Sequence, residues 1–290
     1  GRVLMMLKNK KHKKFSLSRT LIFFAFTFYT ISLVYPLVWA FLSSLKESTE
    51  YMTHNKMDLP ENWLFSNYLR AFEGLNIEGK NMFDMFFNSI WFTVGGTLAG
   101  VGVSCMTAYA VAKYRFPGSK LIYWTAIISM MIPVVGALPS QFKVYTALGI
   151  IETPWLLLAF LNGFGFNFLV LHSYFESLPR SYMEAAFIDG AGHFTCFWKV
   201  MLPQAKSPIM ALSIVSAIGF WNDYNTPLLF LKEYPTLSSG IYMYQVINTR
   251  ILDMPVLFAG ILLTAIPVLI LYAFFSNKIM NISLEGGIKG

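Results

Sequence analysis

Five stretches of this chain run for 22 residues or more without one Asp, Glu, Lys or Arg: residues 20–45, 85–112, 121–142, 153–175 and 254–277. A helix needs about 20 apolar residues to cross the hydrocarbon core of a bilayer, so each is long enough to span. A sixth run, 207–222, is shorter and extends to residue 231 only if Asp223 is admitted. A carboxylate at the centre of a membrane helix costs about 2.5–3.5 kcal/mol on insertion scales, which places Asp223 near the end of that helix. The expected fold class is therefore an all-α membrane protein with six transmembrane helices.

Composition agrees. Hydrophobic residues make up 56% of the chain and charged residues 13%, with a mean hydropathy of +0.53, against about 25% charged in a soluble domain. So few charges cannot cover the core of a water-soluble fold, which excludes a cytosolic enzyme, a disordered regulator and a nucleic-acid reader. The two cysteines, Cys105 and Cys196, form neither a CxxC pair nor a disulfide framework.

The charges orient the spans. With both termini cytoplasmic, the segments 1–19, 113–120, 176–206 and 278–290 hold 15 of the 22 Lys/Arg and 4 of the 15 Asp/Glu. That is the bias expected of cytoplasmic loops, so the net charge of +7 is a topology signal. The arm carrying Lys8, Lys10, Lys11, Lys13 and Lys14 reads as an anchor beside anionic headgroups. The run 20–45 is long enough to span and no small-residue cleavage site follows it, so it is not expected to be a cleaved signal peptide. Three regions result: a basic arm (1–19), one membrane domain (20–277) and a short tail (278–290). Gly96 and Gly100 form a GxxxG that allows another helix to approach closely.

Catalytic chemistry is absent. Gly74 to Lys80 matches the start of a phosphate-binding loop, but Asn81 stands where Ser or Thr should hold Mg²⁺ and no apolar strand precedes it; the segment reads as a turn. His12, His54, His172 and His193 lack metal-ligand spacing, and no catalytic set or metal site is expected. The span interiors offer neutral polar groups (Asn88, Gln141, Asn162, Asn167) rather than the ionisable ones that proton-coupled carriers and voltage sensors need. This points to passage of a neutral or polar solute, driven from outside the chain.

The cytoplasmic connection 176–206 is far longer than two spans require. Pro179 and Ser181 suit a helix start, 182–188 favours helix, and Asp189-Gly190 supplies a turn. A second apolar helical stretch, 194–201, is expected to stop at Pro203. Such a hairpin presents apolar residues at the inner membrane face, open either to partner docking or to packing on the protein's own surface.

Within it, Glu184-Ala185-Ala186, then Asp189-Gly190-Ala191-Gly192, then Leu202-Pro203, resemble the EAA motif of permease subunits in ABC importers. Ala108-Tyr109-Ala110 with Phe116-Pro117-Gly118, the element Trp221-Asn222-Asp223-Tyr224, and the terminal Gly286-Gly287-Ile288-Lys289-Gly290 are similar to further motifs of the MalG-type subunits of carbohydrate importers. The departures, Cys196 and Trp198 in the second half of the loop, put no role in doubt.

This resemblance implies an ABC type I importer permease fold in a bacterial or archaeal cytoplasmic membrane. It implies pairing with a second, homologous permease, two ATPase subunits below that carry ATP and Mg²⁺, and an extracytoplasmic solute-binding protein above; no cofactor is expected on this chain. The EAA helix would sit in a cleft of one ATPase subunit, with Glu184 facing a basic group and Gly190 allowing the tight turn. The tail 286–290 would insert between the ATPase subunits, its competing account being a frayed terminus. Asn88, Gln141, Asn162, Trp221, Asn222, Asp223 and Tyr224 are candidates for the sugar path, since aromatic faces suit C–H faces and amides suit hydroxyls. Helix packing or interface anchoring is the competing account for each. An ABC permease for amino acids or peptides is the nearest rival, and a self-contained channel or secondary carrier a more distant one. A membrane-embedded enzyme finds no paired carboxylates or metal cluster in the spans.

Overall fold

A computed structural model describes residues 17–132, 136–247 and 253–287, with side chains over 18–132, 136–247 and 253–275. The basic arm with Lys8 to Lys14, and Ile288, Lys289 and Gly290, lie outside the described residues. Among those described, the chain is helical throughout apart from an isolated bridge between Ile77 and Lys80.

Among the described residues, three helices are long and apolar enough by themselves to cross a membrane: α1 (Leu17–Ser44), α4 (Met82–Lys113) and the segment Met254–Phe275 of α14 (Met254–Gly287). Between α1 and α4 lie the short α2 (Ser48–Thr53) and α3 (Ser66–Gly74). The other three expected spans are each in two pieces. Run 121–142 divides into α5 (Ser119–Met131) and α6 (Leu138–Ala147). Ile132 is extended there, the conformation forced on a residue before proline, here Pro133. Run 153–175 divides into a 3₁₀ turn (Pro154–Phe160) and α7 (Phe166–Ser177). The break contains Gly165 at φ +107, a conformation that favours glycine. Run 207–231 divides into α11 (Lys206–Asn222) and α12 (Asn225–Phe230), with Asp223 ending α11. The segment 178–205 holds α8 (Ser181–Ile188), α9 (His193–Cys196), a π turn (Phe197–Met201) and α10 (Leu202–Gln204), and α13 (Leu237–Ile247) precedes α14.

α4 is the central strut, packed on α7, α11, α13 and the 3₁₀ turn. Small residues let it be so. A Cβ on Gly96 would lie 2.7–2.9 Å from the Phe220 ring of α11, and one on Gly95 would meet Leu157. Gly100, the other half of the GxxxG, faces only the Phe160 carbonyl at 3.6 Å. Asn167 of α7 donates to the Ser216 hydroxyl of α11 at 3.3 Å.

Among the described residues, three apolar clusters stack along the bundle. One lies under the 178–205 segment, one at the opposite end around Ala71, Met85, Trp221 and Val256, and one around Phe92, Leu156 and Phe230. That opposite end is closed by a polar lock. Asn67 is fully buried and donates to the carbonyls of Ser44 and Lys46 at 2.9 and 2.8 Å, while Arg70 pairs with Asp253 at 2.7 Å. α1 stands apart: it meets α14 through Trp39 on Phe258 at 5.1 Å, yet Phe23, Phe26, Phe28 and Leu37 are more than half exposed.

Candidate functional site

The EAA-like segment folds as a helical hairpin seated on the ends of α4 and α7. α8 turns one face inward, Met183 and Ala186, and leaves Tyr182, Glu184, Ala185 and Ile188 exposed. Its end has a specific cause. The Ala191 N–H donates to the Ala186 carbonyl (2.9 Å) and the Gly190 N–H to the Phe187 carbonyl (3.0 Å), with Gly190 at φ +80. This is a Schellman closure, which requires a left-handed residue past the helix end. Gly190 therefore makes the turn, Ala191 packs back on the cluster that holds Ala186, and Asp189 and Gly192 flank it in the open.

The returning limb is helical without a gap from His193 to Gln204, as expected over 194–201, but it is not regular α-helix throughout. α-Helix ends at Cys196, a π turn spans Phe197–Met201, and Leu202-Pro203 begin one further turn before Ala205 leaves helical geometry at ψ +9. Proline has no N–H to continue the ladder, and the wider π turn upstream accommodates that loss. Leu202 packs on the inner cluster and Pro203 is exposed.

Tyr109, from the AYA-like triplet of α4, is the hub beneath the hairpin. It is buried, with its ring 4.8 Å from Phe197, 5.5 Å from Phe175 and 5.7 Å from Tyr114. Phe168, Leu171 and Phe175, spaced along one face of α7, complete the seat without exposure. Polar ties reinforce it. The Tyr114 hydroxyl lies 2.9 Å from His193 Nδ1, whose ring also meets Phe187 edge-on at 5.0 Å. Lys113 Nζ donates to the Leu178 carbonyl at 2.6 Å, and the Tyr174 hydroxyl to that of Gln204 at 2.7 Å. Sequence reasoning assigned Tyr114, His193 and Lys113 no part in the hairpin. Their signal was weak: single polar side chains clustered at the ends of apolar runs.

What the seat leaves outside is an apolar crest. Ile188 is 85% exposed and Phe194 75%, with Trp198 about half exposed and 6.0 Å from Phe194, ring to ring. Glu184 stands beside it, exposed and free to pair with a cation supplied by another surface.

The solute-path candidates fall into separate groups. Asn88 is spent on its own fold, donating to the Pro235 carbonyl at 3.0 Å and accepting from Trp91 at 3.2 Å. Asn162 accepts from the Phe164 N–H at 3.0 Å, and Gln141 lies on α6, half-buried. Trp221 is buried and donates to the Thr264 carbonyl at 3.1 Å. That carbonyl lies three residues before Pro267, where the ring of a helix-interior proline disturbs the ladder. Asp223 accepts from the Thr226 N–H at 3.1 Å and so caps α12, and Asn222 donates to the Ile218 carbonyl at 2.9 Å. Tyr224 stacks on Tyr242 of α13.

The loop resembling a phosphate site is a tight turn in which Ile77 and Lys80 exchange backbone hydrogen bonds at 2.9 and 2.8 Å, with Glu78 and Gly79 at positive φ. Among the described residues no three His, Cys, Asp or Glu side chains gather as a metal site. At the other terminus α14 continues through Gly286 and Gly287.

The family of binding-protein-dependent transport system inner membrane components matches residues 100–279. The diacetylchitobiose uptake system permease protein NgcG of Streptomyces coelicolor is 32% identical over 262 residues, covering 89% of this chain and 85% of that one. The arabinooligosaccharides transport system permease protein AraQ of Bacillus subtilis is 27% identical over 280 residues, covering 96% and 98%. Among solved structures, a chain of a bacterial ABC transporter involved in the import of the acidic polysaccharide alginate superposes with a TM-score of 0.77 at 24% identity, over 91% of this chain and 98% of that one.

Proposed function

Because the chain belongs to the family of binding-protein-dependent transport system inner membrane components, the permeases of ABC importers, we propose that it forms half of a sugar-translocating path and is driven through its 178–205 hairpin by ATPase subunits. The solute is a carbohydrate, an oligosaccharide by analogy with the relatives, handed over by an extracytoplasmic binding protein. A second, homologous permease supplies the other half of the path, and ATP with its Mg²⁺ is carried by two partner ATPase subunits. The site is the cytoplasmic membrane, with both termini inside and six crossings. Three crossings are broken helices, which membranes tolerate where the irregular backbone is buried in protein or lines a cavity.

One observation carries the reading: the hairpin is tied down on one face and bare on the other. Its inner residues are interlocked with Tyr109, Phe168, Leu171 and Phe175 of α4 and α7, so it cannot shift without moving the ends of those helices. Its crest, by contrast, offers apolar surface and the Glu184 carboxylate to a partner. When ATP draws the ATPases together, the hairpin follows its cleft, and α4 and α7 follow the hairpin. The path then alternates between inward- and outward-open states according to which state the partners bind more tightly. The terminal residues 286–290 make a second contact with the ATPase subunits. Asn222, Asp223 and Tyr224 face the solute, Gln141 lies along the path, and Asn88, Asn162 and Trp221 hold its walls.

The test is Glu184→Lys, and separately deletion of 184–190, in the complex reconstituted with its partners. Glu184 is exposed, so reversing its charge leaves the fold intact. Loss of a charge pair at the cleft lowers sugar uptake and ATP hydrolysis stimulated by loaded binding protein by about tenfold or more. Undiminished uptake in both variants defeats the coupling role, and uptake by the isolated chain in vesicles, without ATPases, makes it a carrier in its own right.

A further inference from the structure

At the end of the molecule opposite the hairpin, the rings of Tyr224 and Tyr242 lie stacked with centroids 4.8 Å apart and planes 29° from parallel. The pair is not a core contact: Tyr224 is 38% exposed and Tyr242 41%. Two elements position it independently. Asp223 caps α12 through the Thr226 N–H, which sets Tyr224 at the corner between α11 and α12. The first turn of α13 is fastened to the end of α11 by Ser238, whose hydroxyl donates to the Trp221 carbonyl at 2.6 Å. Tyr242 follows Ser238 by four residues, hence on the same helix face, and Gln245 follows Tyr242 by three.

Near the rings in sequence stand three amides, together with the half-buried Asp223 carboxylate and Val246, which is 56% exposed and one turn on from Tyr242. Asn222, Asn225 and Gln245 are all exposed, and each amide offers both a donor and an acceptor. Flat apolar faces edged with amides match one ligand chemistry well: a pyranose or furanose ring, with C–H bonds on its face and hydroxyls on its rim.

We infer that Tyr224 and Tyr242, with Gln245, form a saccharide-stacking platform on this subunit, one wall of a sugar site completed by the second permease. The inference rests on the sugar-importer reading above and adds to it a specificity-determining contact on α13.

The experiment uses the complete transporter in proteoliposomes, with tritiated diacetylchitobiose, arabinotriose and maltotriose as probes, each delivered by a saturated binding protein. Uptake is measured beside the binding-protein concentration that half-saturates ATP hydrolysis. Tyr242→Ala lowers uptake about fivefold or more, a loss in the range expected for one aromatic contact, and leaves the half-saturating concentration unchanged. Tyr242→Phe, which keeps the ring, restores uptake, and Gln245→Leu lowers it. Unchanged uptake in Tyr242→Ala overturns the inference. So does a raised half-saturating concentration with maximal uptake intact, which would give the pair to the binding protein. An effect of Tyr242→Ala without any effect of Gln245→Leu assigns the ring to packing and also overturns it. If the wild-type complex moves none of the three probes yet responds to a binding protein loaded with an amino acid, the carbohydrate reading itself fails, which is a different result from failure of the platform alone.

Discussion

Gly190 shows how a single residue can decide the shape of the hairpin. Its φ of +80 is needed for the Schellman closure, and a Cβ there would meet nothing within 4 Å. Any cost of substitution is therefore backbone strain and not crowding. Gly190→Ala should destabilise the hairpin by about 1–2 kcal/mol, and Gly190→Asn, which tolerates left-handed geometry, by less. Limited proteolysis across 178–205 measures both; equal resistance of Gly190→Ala and the parent would remove the turn's dependence on glycine. The Asp189-Gly190 turn was legible from composition, because few other dipeptides end a helix so sharply. The roles of Tyr109 and His193 were not. Tyr109 contacts Phe197, 88 positions later, and Tyr114 contacts His193, 79 positions later; no local pattern encodes such a meeting.

At the level of elements, the two glycines of the GxxxG have unequal duties. Gly96 lies against the Phe220 ring, itself held by Phe92 at 5.7 Å and Phe160 at 4.9 Å, so the ring has little room to yield. Gly100 has an ordinary contact distance to its neighbour. Gly96→Ala should overpack the junction of α4 and α11 and cost about 1–3 kcal/mol, while Gly100→Ala should be close to neutral. Thermal unfolding in detergent separates them, and identical midpoints would contradict this assignment. The long uninterrupted helices α1, α4 and α14 were readable as apolar runs. The interruptions were harder to read, because a charge-free run is equally apolar whether or not its backbone is continuous. Pro133, Gly163 and Gly165 were visible in the sequence, but their weight against membrane burial cannot be judged until the neighbouring helices are placed.

Across the whole molecule, the proposed topology puts the hairpin crest and the lock around Asn67 on opposite sides of the membrane. The two native cysteines are buried, so they give little background to a thiol reagent. In the permease pair, Ile188→Cys should react with an impermeant maleimide only from the cytoplasmic face and become protected when the ATPase subunits are added. Asp58→Cys should react only from the outside. Labelling of both from one face would refute the orientation. The exposed length of α1 and the apolar groove of about 640 Å³ lined by Phe83, Leu263 and Ile270 are the surfaces that the proposed function assigns to lipid and the second permease.

From the sequence alone came the membrane, the orientation expected from its basic residues, and the kinship carried by the EAA-like loop. These rest on composition and local order, and the chain's chemistry expresses them wherever the residues end up. Only the tertiary structure decided that the loop is clamped to α4 and α7, that Asn88, Asn162 and Trp221 are engaged within the fold, and that Tyr224 is paired with Tyr242. Each of those depends on side chains far apart in the chain arriving within a few ångströms of one another, and close packing of the helices sets those distances.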